Sequence, residues 1–192
     1  MPATLEAGIN RELKWANYRK LVSVGPRLIQ SADLNYPDHI QVGQITLTNG
    51  RIIYPTLNIW LQATPLTSIL DLTDDGLMIA GYELLGPFDH SNMGLFNFSI
   101  TTYVGEGSGI GSAMFELGQI MIARYISLSG TKTKFDRVFV YGEDTSHRSS
   151  NPHKKIEWTS QLMDEHGYTD NKPLKRFLSL DYKTRRIMIK EV

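Results

Sequence analysis

LFNFSITTYVGEGSGIGSAMFELGQIMIARYI, residues 95–126, reads as a strand, a glycine-rich loop and a helix, and this unit decides the fold class. Residues 95–104 are rich in aromatic and β-branched side chains, the composition of a pleated strand. Glycine then occupies positions 105, 107, 109 and 111. Glycine accepts positive φ and lets ligand atoms approach the backbone closely. A loop of this kind between a strand and a helix aims amide N–H groups and the positive helix end at an anion. The plain alternative is a tight connection that holds no ligand, but the alternating glycines exceed what a turn requires. The segment 112–127, SAMFELGQIMIARYIS, is apolar almost all round, broken by Glu116, Gln119 and Arg124. A helix of that character packs heavily against a sheet.

The loop does not fit the better-known phosphate-binding patterns. A P-loop requires GxxxxGK followed by Ser or Thr, and no lysine occurs here. A dinucleotide fingerprint requires GxGxxG; from Gly105 the last glycine would fall on Ile110, and from Gly107 on Ser112. A methyltransferase loop lies early in its domain with several βα units behind it, whereas this loop is followed by fewer units that end in strands.

Outward from this unit, residues 67–87 (TSILDLTDDGLMIAGYELLGP) predict two strands joined at Asp74-Asp75-Gly76. Residues 45–62 predict a hairpin turning at Asn49-Gly50, the strongest short-range hairpin signal. Residues 4–24 place Leu5, Ile9, Leu13, Ala16 and Leu21 at helical spacing, with Arg11, Lys14, Arg19 and Lys20 mostly on the other face. Downstream, FDRVFVYG (135–142) predicts a strand and residues 143–151 a polar loop. A helix then starts near Asn151-Pro152 and is capped by Gly167. Strands are predicted over about 174–181 and 184–191. The fold class is therefore α/β: a central mixed sheet with helices on both faces, in a single domain over residues 1–192.

A chain of 192 residues buries roughly 70% of the surface its unfolded form exposes. With 41% hydrophobic residues it builds an ordinary core. The absence of cysteine excludes disulfides, thiolate catalysis and zinc–thiolate sites. No apolar run reaches the roughly 20 residues of a membrane span, and the first residues carry no apolar signal core; the expectation is a cytoplasmic protein. Residues 1–129 carry 7 Lys/Arg against 11 Asp/Glu, and residues 130–192 carry 13 against 9. The basic C-terminal part is most simply a solvated surface, with an anionic ligand or nucleic acid as the functional alternative.

Order and spacing over residues 66–182 resemble the GNAT superfamily of N-acetyltransferases. GLMIAGYELLG (76–86) is similar to that family's hairpin strand, and 95–121 to its central strand, pyrophosphate loop and following helix. FDRVFVYG and the helix end DEHGYTD (164–170) are similar to its next strand and helix terminus; Gly109-Ile110-Gly111-Ser112 is the motif-level match. The resemblance implies a GNAT-like fold, acetyl-CoA (acyl-CoA) as cofactor and an amine as acceptor. It implies that Gly107, Ser108, Gly109, Ile110, Gly111 and Ser112 hold the pyrophosphate. The backbone from Ser99 through Ile100, Thr101 and Thr102 would hold the pantetheine arm, and Asn151 lies near the family's cofactor asparagine. Glu83 is the candidate base and Tyr141 the candidate acid; no metal is implied. His147, His153, Lys154 and Lys155 are candidates for the 3′-phosphate, with solvated surface as the plain reading. Trp15, Trp60 and Trp158 are read as core anchors, and residues 1–65, the divergent part, as shaping the acceptor site.

The family usually has Arg or Gln where Glu106 stands, and its catalytic tyrosine would fall on Met163. Both substitutions favour the rival reading, a non-catalytic binding or structural protein on the same fold. The extra glycines leave a third, a nucleotide- or S-adenosylmethionine-binding enzyme.

Overall fold

The computed structural model describes residues 16–23, 38–47, 49–61, 67–103, 109–143, 161–180 and 187–192. In chain order the elements are α1 (residues 16–23), β1 (Asp38–Gln41), β2 (Ile45–Thr46), β3 (Ile52–Ile53), β4 (Thr56–Leu61), β5 (Thr67–Asp74), β6 (Leu77–His90) and β7 (Met93–Thr102). They continue with α2 (Ile110–Leu128), α3 (Thr131–Lys134), β8 (Arg137–Glu143), α4 (residues 161–165), α5 (Lys172–Phe177) and β9 (Ile187–Glu191). Seven strands hydrogen-bond in the order β1-β4-β5-β6-β7-β8-β9, while β2 and β3 form a separate pair. The β7–β8 pair is parallel and the β1–β4, β4–β5 and β8–β9 pairs antiparallel, so the protein is α/β with a mixed sheet. The chain divides into two compact units, residues 1–84 with 100–129 and residues 85–99 with 130–192.

In the first unit the turns follow the residues that favour them. Asp75 and Gly76 both take positive φ (49° and 77°), the type I′ geometry that matches strand twist, and they join β5 to β6. The Asn49-Gly50 hairpin forms as predicted, in a different turn. The Gly50 amide donates to the Leu47 carbonyl at 2.9 Å and the Leu47 amide to the Arg51 carbonyl at 2.8 Å, with Gly50 at φ 81°. The left-handed Gly50 and these two bonds give a loop longer than two residues. On α1 the buried Asn17 side chain donates to the Thr46 carbonyl and accepts from the Thr46 amide, so neither partner is left unsatisfied. The predicted first helix is described over 16–23; its earlier residues lie outside the described ones.

α2 buries Ile110, Ala113, Met114, Leu117, Met121 and Ile122. Its backbone approaches the sheet most closely at Gly118, where a Cβ would stand 2.2 Å from the Tyr82 ring. Tyr82, on β6, is completely buried.

The second unit is organised on both sides of β8. Met93, Leu95, Phe139, Leu178, Leu180, Ile187 and Ile189 form one cluster, with Tyr141 and Leu174 packed against it. Phe98 and Tyr168 meet edge to face at 5.6 Å, and the Phe98 ring covers Gly142, where a Cβ would stand 2.4 Å from it. Gly167 ends α4 as predicted, at φ 81°. Its amide donates to Asp164 and that of Tyr168 to Met163, the paired bonds of a Schellman cap. The predicted helix start at Asn151 lies outside the described residues.

The strand predicted over 174–181 is a helix. The Asn171 side chain accepts from the Leu174 amide at 3.1 Å and Pro173 sits in the first turn, an N-cap followed by a residue whose φ is preset for helix. The spacing of Leu174 and Leu178, joined by a backbone bond of 2.9 Å, is helical and outweighs the apparent alternation. Buried Lys175 donates to Asp170 and, at 3.1 Å, to the Ile187 carbonyl, fixing α5 beside the start of β9. A turn at Ser91-Asn92, both at positive φ, joins β6 to β7 and had no glycine to signal it.

Gly118→Ala tests the α2 contact. Alanine gains about 1 kcal/mol of helix propensity, but forcing a methyl into the buried ring costs roughly 1–3 kcal/mol by overpacking. The variant is expected to melt a few degrees below the parent, at about 2–4 °C per kcal/mol for a chain of this size. Adding Tyr82→Leu should recover part of the loss. A single variant that melts at or above the parent contradicts the close approach.

Candidate functional site

The predicted phosphate loop is described from Gly109 onward; Gly107, Ser108 and Glu106 lie outside the described residues. Gly109 precedes α2 at φ 78°, ψ −4°, a left-handed conformation that carries no strain for glycine. Among the described residues no side chain caps the start of α2, and its first turn holds no acidic residue. The Ala113 amide donates to the Gly109 carbonyl at 3.1 Å, the bond that closes the first turn from Gly109. The amides of Gly111 and Ser112, partly exposed, therefore project from the helix end with the positive pole of the helix behind them.

In the same unit, β7 continues through Ile100, Thr101 and Thr102 toward this end. Ile100 is half-buried and the two threonines are exposed. The parallel register with β8 stops at Phe98 opposite Gly142, so β7 extends beyond its paired portion before the loop begins. Ile100, Thr101, Thr102, Gly109, Ile110, Gly111 and Ser112, which the sequence assigned to cofactor binding, thus all belong to the first unit.

Glu83 is exposed on β6, flanked by buried Tyr82 and Leu84. Because Tyr82 lies against α2, Glu83 takes the opposite face of the strand. Tyr141 lies in the second unit, opposite Asn97 on β7 and Ile189 on β9. Its ring packs against the Leu95–Phe139–Ile189 cluster, so it is a half-buried packing residue. Met163, where the resemblance looks for an acid, is 3% exposed and offers only an apolar side chain. Asn151, His147, His153, Lys154 and Lys155 lie outside the described residues. Among the described residues no group of three or more metal-ligating side chains gathers, and no helix is long and apolar enough to cross a membrane.

The structure adds Asp71, which the sequence reading passed over. It stands half-buried on β5 between completely buried Leu70 and Leu72, opposite Asn58 on β4. Burial pushes its carboxyl pKa above the ordinary value, because desolvation disfavours the charged form. Its signal was present in the sequence: a carboxylate inside Ile69-Leu70-Asp71-Leu72 must occupy a strand's second face.

No known protein-family model matches the chain, and no curated protein is significantly similar to it.

Proposed function

We propose that the protein is an N-acyltransferase of GNAT-like fold that transfers an acyl group from acyl-CoA to an amine. The observation that carries this reading is the start of α2: a left-handed Gly109 without a side-chain cap among the described residues and with no acidic residue in the first turn, the next described element after β7. That donor set suits a pyrophosphate, since amides and a helix end supply positive potential and the first turn of α2 adds no carboxylate. Element order supports the fold reading. Antiparallel strands lead into a strand–loop–helix–strand unit whose strands pair in parallel; a helix ending at Gly167-Tyr168 and an antiparallel last strand follow.

Acetyl-CoA, when bound, supplies the acetyl group as a thioester. The Gly111 and Ser112 amides hold its diphosphate, and the backbone of Ile100 to Thr102 offers hydrogen-bonding groups to the pantetheine arm. Glu83 takes the proton that the attacking amine sheds. The second reading, a binding protein on the same fold, is favoured by the apolar Met163 and would retain the first of these roles alone.

Acetyl-CoA at 100 times its dissociation constant is expected to stabilise the fold by about 2.7 kcal/mol, read as a melting shift of several degrees. Absence of any shift at millimolar concentration removes the cofactor reading. Gly111→Asp sharpens the test: an acid in the first turn favours the helix by about 0.3–1 kcal/mol while opposing an anion. The variant should melt at or above the parent and no longer respond to acetyl-CoA. If it still responds, the α2 start is not the site.

Glu83→Gln should lower turnover by roughly 10²–10⁴, the range for general acid–base catalysis, with the acetyl-CoA shift intact. Steady-state rates under saturating acetyl-CoA decide this. An unchanged rate removes Glu83 from the mechanism.

A further inference from the structure

On β5, Leu70 and Leu72 are completely buried, which leaves Asp71 and Thr73 on the other face. On β6 the alternation slips, because Ile79 and Ala80 are buried in succession. Such a slip is the mark of a β-bulge, and it re-aims the side chains around it. As a result Met78 and Gly81 meet on one face. A Cβ on Gly81 would stand 3.4 Å from Asp71 Oδ1 and 3.6 Å from Met78 Sδ. Gly81 thus leaves a notch one methyl deep, with a carboxylate oxygen on one wall and a thioether on the other.

The Asp71 carboxyl makes no hydrogen bond or ion pair among the described residues. The amide of Asn58, its cross-strand neighbour, goes instead to Thr73 Oγ1 at 3.2 Å. The nearest charged groups along the strands are Glu83, on the same face of β6, and Asp74, held by Arg51 at 3.3 Å and by the Tyr54 amide at 3.3 Å. No described cation faces Asp71. A partly desolvated carboxylate without a partner costs stability, and proteins tolerate such groups where a ligand supplies the partner.

We propose that Asp71, in the notch over Gly81, binds the ammonium group of a primary alkylamine whose aliphatic stem lies against Met78. The ammonium is a compact point charge with rotatable donors, which suits a single inward carboxylate oxygen better than the flat fork of a guanidinium does. Met78, 44% exposed, offers a flexible apolar surface to the stem. This names the acceptor class of the proposed acyl transfer and rests on that reading for turnover alone; ammonium binding stands on the notch itself.

The test uses the full chain and two probes of matched length, n-butylamine and n-butanol, followed through the carboxyl ¹³C resonance of Asp71 at neutral pH. The amine should give a saturable shift and the alcohol none. Gly81→Ala fits sterically, since 3.4 Å is ordinary contact, but fills the notch. It should melt at or above the parent and bind the amine about tenfold or more weakly, the loss of one charge-assisted hydrogen bond.

Asp71→Asn provides the structural control. A carboxyl whose pKa is raised by folding stabilises the fold only at low pH, and that contribution disappears as pH rises through the folded value. At neutral pH the variant should therefore melt above the parent, and amine-induced melting shifts should vanish. An unmoved Asp71 resonance overturns the proposal, as does equal amine affinity in the Gly81→Ala variant. So does an Asp71→Asn variant that melts lower, since Asp71 would then be a structural residue. Acetyl-CoA is titrated separately: amine binding without an acetyl-CoA response supports the notch and removes the acyl-transfer reading.

Discussion

The ring of Tyr82 lies so close beneath the backbone of α2 at Gly118 that no side chain fits between them, and much of the first unit depends on that contact. A strand has two faces and a fixed alternation, so burying one residue against a helix assigns all the others. With Tyr82 and Leu84 turned toward the core, Gly81 and Glu83 must face the other way. With Leu70 and Leu72 buried, Asp71 must join them. Gly81 and Glu83 therefore occupy the face of β6 turned away from α2, with Asp71 beside them on β5, while the Gly111 and Ser112 amides belong to the start of α2.

The slip at Ile79 and Ala80 refines the arrangement. Without it, Met78 and Gly81 would lie on opposite faces, and no notch would form beside Asp71. Two small adjustments, an extra buried residue and a missing side chain, convert an ordinary sheet surface into a place where one carboxylate is half withdrawn from water. That placement works against folding, because the charged form loses hydration without gaining a partner among the described residues. Stability sacrificed at one position is common where activity requires an unsatisfied group.

The second unit follows a different logic. Its interior closes around β8, with aliphatic residues on one side and the Phe98–Tyr168 pair over Gly142 on the other. Tyr141, the candidate acid, contributes its ring to the first of these layers, and Met163, at the position of the family's tyrosine, is buried. The leaving thiolate in an acyl transfer has a low enough pKa to depart with little assistance compared with an alkoxide. A site without a dedicated acid is chemically consistent with the reaction for that reason.

What the sequence determined by itself was local. The strand and apolar helix within 95–126, the Asp75-Gly76 turn and the Gly167 cap were all legible. Each depends on residues adjacent in the chain: a glycine at positive φ, an apolar period, a capping carbonyl. The helix at Lys172–Phe177 was legible too, in Asn171 and Pro173, but a short alternating apolar pattern concealed it. Tertiary structure alone decided which face of each strand is buried, because alternation gives two equivalent choices until a partner surface selects one. The pairing of β7 with β8 arises between residues distant in sequence. The phase slip in β6 and the meeting of Asp71 with Gly81 across one hairpin depend on which side chains the core accepts, and no local propensity encodes them.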